Sequence, residues 1–280
     1  MLSRAKGIAR SLAMYYGVPG RRRRMVRFYG EFLGPGDVAF DIGAHVGSRV
    51  RAWRKLDARV VAVEPQPDCL RVLRFLFGRD PAVAIVPLAV GARPGRARMG
   101  ISTATPTVSS MSSDWIDSVG ADPSFARVRW DSSFEVAVTT LDDLIARHGE
   151  PAFCKIDVEG FEVDVLKGLT RPLRALSFEY LPPAHDAALE ALDLVERLGA
   201  GAGGYRYNYS PVETMRWAGD RWLAAADLVR LLDQFRPLGR SGDVYARLAD
   251  PASGPGSRLS GRRRRPASGR RWGRSRSPGP

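Results

Sequence analysis

From residue 38 onward, short apolar runs alternate with stretches in which apolar residues recur every three or four positions. Val38-Ala39-Phe40-Asp41-Ile42 is a compact apolar run ending at Gly43, the pattern of a buried strand. Val46, Val50, Trp53 and Leu56 then fall at helical spacing, so the strand passes into a helix through a glycine-bearing turn. Residues 59–64 form a second apolar run, closed by Pro65. Cys69, Val72, Leu73, Leu76 and Phe77 make the stripe of an amphipathic helix, and residues 83–88 predict a third strand. Near-continuous apolar strands alternating with helices predict a parallel sheet covered on both faces.

Residues 91–140 interrupt this rhythm with Ser, Thr, Arg, Gly and Pro, including a Ser/Thr cluster at 102–113. Residues 96–101 and 134–138 are expected to be antiparallel strands of an insertion that forms a lid on the substrate side. The alternation resumes with Phe153-Cys154-Lys155-Ile156-Asp157 as a strand and a helix from about 162 to 169. Residues 176–180 predict a further strand closed by Pro182-Pro183, followed by a helix over roughly 186–198. Two late strands, at 205–209 and 243–248, are expected around a helix near 223–232. The fold class expected is α/β, a Rossmann-like doubly wound, mostly parallel sheet with a β-rich insertion.

Charge alters the picture at the ends. The chain of 280 residues has a net charge of +13, but residues 1–30 hold eight Lys/Arg and residues 251–280 hold nine Arg, with no acid in either. Those 17 positive charges exceed the total, leaving residues 31–250 at −4. The predicted organisation is a basic, helical arm over 1–30, one domain over 31–250, and a disordered tail over 251–280. The tail is too poor in apolar residues to offset an ordering cost of about 1–2 kcal/mol per residue. An acidic body weakens a nucleic-acid-binding reading of the domain, so nucleic acid is an expected partner only through the basic ends. Cys69 and Cys154 lie 85 positions apart without metal-ligand spacing, which predicts buried free thiols and a cytoplasmic setting. No apolar run approaches the ~20 residues of a membrane span.

The turn after the first strand carries the candidate chemistry. Gly43 and Gly47 let the backbone approach a ligand, but His45 stands where a dinucleotide fingerprint needs its second glycine. Asp41 would repel a pyrophosphate, whereas it suits the ammonium and sulfonium of S-adenosylmethionine. Glu64, 23 residues after Asp41, ends the second strand where a carboxylate can accept hydrogen bonds from ribose hydroxyls. Both acids around one glycine loop outweigh a simple strand-capping role.

The segments DIGAHVG, VVAVEPQPD, VPLAVG, VTTLDDL and KIDVEGFEVDVLKGL occur in that order between Val38 and Tyr180. In these the chain resembles the FkbM family of S-adenosylmethionine-dependent methyltransferases. The resemblance implies the class I methyltransferase fold, S-adenosylmethionine as cofactor, and methylation of a hydroxyl on a sugar, polyketide or other natural product. Cofactor-binding positions on this reading are Asp41, Gly43, His45, Gly47, Glu64, Pro65, Leu88 and Ala89. The chain departs from the family pattern at His45, where Asn is usual, at Gly78, and at Phe161.

A hydroxyl acceptor needs its proton removed. Asp157 and Glu159 follow the fourth strand and Glu179 ends the fifth, so three carboxylates are expected to converge beyond the strand ends. Asp157 or Glu159 is the expected base or acceptor-orienting group, Glu179 assists, and Lys155 pairs with one of them. Glu162 is expected to serve the first turn of its helix instead. Such a cluster can hold Mg²⁺, but no spacing demands a metal and none is assigned. The expected partner is a small-molecule or glycan acceptor. Two rivals remain at this point, a nucleic-acid-directed methyltransferase and a catalytically silent binding module.

Overall fold

The computed structural model describes residues 2–102, 104–105, 109–120, 128–212 and 214–249, so the expected disorder of 251–280 lies outside the described residues. Two helices, α1 (Leu2–Tyr16) and α2 (Arg21–Tyr29), precede the first strand. The chain then runs β1 (Val38–Ile42), α3 (Ser48–Trp53), β2 (Arg59–Val63), α4 (Pro67–Phe77) and β3 (Val83–Val86). An insertion follows, with β4 (Ala89–Val90), β5 (Gly95–Ile101), α5 (Ser113–Gly120) and β6 (Ser132–Thr139). The remaining elements are α6 (Leu141–His148), β7 (Phe153–Ile156), α7 (Glu162–Lys167), β8 (Ala175–Tyr180), α8 (His185–Gly199), β9 (Tyr205–Pro211), α9 (Ala225–Phe235) and β10 (Gly242–Leu248).

Seven strands form one sheet in the order β3-β2-β1-β7-β8-β10-β9. The first five are parallel, and β10 pairs antiparallel with both β8 and β9. This is the doubly wound, mostly parallel α/β fold that the alternating pattern predicts. Chain order reverses between β1 and β7, and ligands in such sheets bind beyond the carboxyl ends of the strands at that switch. The predicted pair in the insertion also forms, with Arg96 opposite Ala137 and Met99 opposite Phe134. It closes with β4 into a separate three-stranded sheet around Met99, Ile101 and Val136.

The strands bury both faces. Phe40, Ile42, Ile156 and Phe178 pack under α6 to α9, while Ala39, Val60, Phe153 and Tyr245 pack under α2 and α3. Residues 21–29, counted with the basic arm on charge, belong to this second layer. Arg22 to Arg24 stay exposed, whereas Met25, Phe28 and Tyr29 are buried beside Trp53 and Phe153. A composition boundary misses this, because an amphipathic helix carries its charge on one side and its packing on the other.

The TLDDL segment has a structural explanation. Thr140 caps α6 by accepting the Asp143 N–H at 3.1 Å, and Asp142 accepts the Thr170 hydroxyl at 2.7 Å. It thereby ties α6 to the turn after α7.

Candidate active site

The turn after β1 is fixed by contact with the turn after β7. Gly43 has φ +83°, and a Cβ there would lie 1.9 Å from the Asp157 carbonyl oxygen. Only glycine allows this approach. Gly43→Ala is expected to destabilise the fold by roughly 1–3 kcal/mol, read from the thermal unfolding midpoint; an unchanged midpoint would show that the two turns can separate. His45 is also left-handed, at φ 49°. Its N–H donates to Glu64 at 2.8 Å, and the Gln66 N–H donates to the other oxygen of Glu64 at 2.7 Å. Glu64 therefore organises the loop as well as facing the space above it.

A cleft with about 730 Å³ of empty space, part of it open to solvent, lies over this loop. Gly43, His45, Glu64, Pro65, Leu88 and Ala89 line it, and Asp157 and Glu159 line it from the β7 side. Met99 and Met111 of the insertion and Tyr15 of α1 complete the wall. Two expected cofactor positions do not reach it. Gly47 is turned to α4, where a Cβ would meet Phe77 at 2.5 Å. Asp41 is 1% exposed behind the loop, because strand alternation sends it to the face opposite Phe40 and Ile42, in register with Lys155. Neither oxygen of Asp41 has a hydrogen-bond partner among the described residues. Burial pushes its pKa up to about 7 against the pull of Arg49 and Lys155. Burial likewise raises Glu64 to about 7, opposed by the two backbone hydrogen bonds.

The second group of acids does converge. Asp157, Glu159 and Glu179 can each place a carboxylate oxygen within 4.8 Å of the others. Glu159 sits at φ +53° and Gly160 at φ +88°. A Cβ on Gly160 would fall 2.0 Å from Trp115, so the turn is shaped by the α5 segment as well as by its own sequence. The Ser110 hydroxyl donates to the Glu159 carbonyl at 2.5 Å. Glu162 accepts from the N–H groups of Val158 at 3.1 Å and Gly160 at 3.3 Å. It braces the turn, in line with its expected helix-start role.

The electrostatics divide these acids. Burial alone would raise Asp157, but the Lys155 and Arg49 cations outweigh it and hold its carboxyl below the usual range. Burial raises Glu159 well above that range, reinforced by Glu179 and Asp157; Glu179 is raised by burial and by Asp157 and Glu162. Lys155 is fully buried and lines neither this cleft nor the smaller one beside Trp115. Its Nζ lies 2.9 Å from Asp243 and 3.2 Å from Asp157. The expected pairing with an acid of the site is present, but from beneath, so Lys155 positions Asp157 and cannot touch a substrate from this place.

Sequence reasoning missed several participants. Arg49, 3.5 Å from Asp157, looked like an ordinary helix residue, and Asp243 lies 88 positions from Lys155. Neither leaves a local signal. Tyr15 and Tyr16 sit in the basic arm with no motif of their own. In the structure the Tyr16 hydroxyl donates to the Val46 carbonyl at 2.8 Å, and the Tyr15 ring meets His45 edge-on at 5.5 Å between centroids. The basic helix α1 thus rests on the cofactor-loop candidate. His185 is buried, with Nδ1 3.2 Å from the Tyr180 hydroxyl and Nε2 3.2 Å from Asp233.

The profile of the methyltransferase FkbM domain matches residues 41–207, a span that runs from Asp41 through both acid groups into β9. The chain belongs to the FkbM methyltransferase family. The hexuronic acid methyltransferase AglP of Haloferax volcanii is 30% identical over 145 residues, covering 51% of this chain and 54% of that protein. The chain thus matches about half the length of this curated relative. Among solved structures, the precorrin-6y C5,15-methyltransferase of Geobacter metallireducens matches with a TM-score of 0.43 at 12% identity, over 81% of this chain and 87% of that one. The C-terminal domain of the Rhodobacter capsulatus precorrin-6Y C5,15-methyltransferase gives a TM-score of 0.36 at 14% identity, over 80% and 86%. Among the described residues, no helix is long and apolar enough to cross a membrane.

Proposed function

We propose that this FkbM-family chain is an S-adenosylmethionine-dependent O-methyltransferase acting on a hydroxyl of a sugar, glycoside or other natural product. The observation that carries the reading is the pairing of two acid groups across one cleft. Glu64, with Asp41 behind it, stands on one side, and Glu159 faces it from the other. The 30% identical relative named for hexuronic acid supports a sugar as acceptor.

The donor set fits the cofactor. Asp41 is a buried carboxylate without a hydrogen-bond partner among the described residues and Glu64 lines the cleft, so the loop side offers negative charge to a cationic ligand when these acids are ionised. On this reading Glu64 contacts the ligand directly, while Asp41 acts from behind the loop through its charge when ionised. When bound, S-adenosylmethionine supplies an electrophilic methyl group on a sulfonium. Glu159 receives the proton of the acceptor hydroxyl. Its raised pKa makes it the better base, whereas Asp157, neutralised by Lys155 and Arg49, orients.

Titration calorimetry with S-adenosylmethionine tests the reading. Glu64→Ala is expected to weaken binding more than Asp41→Ala, and equal wild-type affinity in both would remove the cofactor assignment. Affinity should also rise from pH 6 to pH 8, since a cationic ligand prefers both acids ionised and each has a pKa of about 7 in the free protein. The same raised values predict that these two groups reduce stability of the free protein as pH climbs from their ordinary values of 3.8 and 4.5 towards about 7. Transfer of a labelled methyl group to hydroxylated acceptors would establish the activity itself.

A further inference from the structure

A second, smaller cleft with about 300 Å³ of empty space lies beyond the Glu159 turn. Trp115 of the insertion forms one wall, Glu162 and Glu179 another, and Ala184, Ala188 and Ala191 the base. The two clefts meet at an acid pair, since Glu159 lines the first, Glu179 lines the second, and their oxygens lie within 4.8 Å. With Ala187, four alanines of the lining leave room that larger side chains would fill. Trp115 is held against Gly160, where no side chain fits, and it brings an aromatic surface to the edge of the acid pair. Aromatic wall, hydroxyl acceptors and small floor together suit a sugar ring.

Charge narrows the ring. Among the described residues lining this cleft none is basic. Among the described residues, the cations paired with the acid group are Lys155 and Arg49, both beside Asp157, and Lys155 also pairs with Asp243. From this geometry we infer that the second cleft is the acceptor subsite and that it selects a neutral hexose ring over a hexuronate. The inference rests on the S-adenosylmethionine-dependent reading given above and adds the substrate class. A hexuronate would bring another carboxylate beside Glu159 and Glu179, of which one must ionise to take the hydroxyl proton, and none of the described lining residues is a cation that could receive it. A neutral hexose instead offers hydroxyls that the same carboxyls can accept.

The test uses the full chain, labelled S-adenosylmethionine, and methyl glycosides of glucose, galactose and mannose beside the matching uronides, each with EDTA or with Mg²⁺. At least one neutral hexoside is expected to exceed its uronide by about a hundredfold in kcat/KM, with or without Mg²⁺. Ala188→Leu, and the milder Ala184→Leu at a partly exposed position, are expected to raise the KM of that hexoside about tenfold while leaving the Kd of S-adenosylmethionine unchanged. Preference for a uronide in either condition, no transfer to any neutral hexoside, or an unmoved KM in both variants would overturn the subsite while cofactor binding stands. A chain that fails to bind S-adenosylmethionine in calorimetry removes the underlying reading and the subsite with it.

Discussion

Lys155→Met is expected to destabilise the protein by roughly 3–5 kcal/mol, read from chemical denaturation at neutral pH. Lys155 is wholly buried between Asp157 and Asp243, at 3.2 and 2.9 Å. Burial by itself would lower its pKa, but the two carboxylates overcome this and hold it firmly charged. Methionine preserves the side-chain length and removes the charge, so Asp243 loses its short partner in a 5%-exposed position. A buried charge left alone costs far more than the intact pair contributes. Adding Asp243→Asn to Lys155→Met should recover part of the loss. A double variant no more stable than the single one would show that Asp243 is not the group left stranded.

Glu159→Gln is expected to lower kcat by about 10²–10⁴-fold while retaining S-adenosylmethionine binding. Glu159 is held well above the ordinary carboxyl range by burial, then by Glu179 and Asp157. A base must be ionised to accept a proton, so wild-type kcat should increase as pH rises through that elevated pKa and then level. The glutamine variant should lose this limb along with its turnover, because an amide cannot take the proton. Retention of the limb with reduced kcat would assign the base to Glu179, whose pKa is also raised. Loss of cofactor affinity would instead return Glu159 to a binding role.

Much of this architecture was legible because it depends on local patterning. Apolar runs such as 38–42 and 153–156 can be buried only inside a covered sheet, and the 3.6-residue stripe of 67–77 admits only a helix lying on it. In the loop, His45 in place of a second glycine argues against a dinucleotide fingerprint, and the Asp41 carboxylate is what suggests a cationic ligand. The resemblance in DIGAHVG and KIDVEGFE then pointed to the family whose profile the chain matches. The convergence of Asp157, Glu159 and Glu179 followed from a rule about strand ends, and it holds in the structure.

The sequence alone determined the alternation of elements, the sheet class and the two acid groups, because each is written in neighbouring residues or in the order of the strands. Only the tertiary structure decided which acids face the cleft. Strand alternation turned Asp41 behind the loop and left Glu64 in front. It also decided which acid is neutralised, since Lys155, Arg49 and Asp243 come from three separate elements and meet only when β7 and α3 pack and β10 inserts between β8 and β9. The core role of α2, the contact of α1 with the loop after β1 and the Trp115 wall have the same origin. Burial and through-space charge depend on distances that no local pattern encodes, and those distances hold the Asp157 carboxyl below the usual range and that of Glu159 above it.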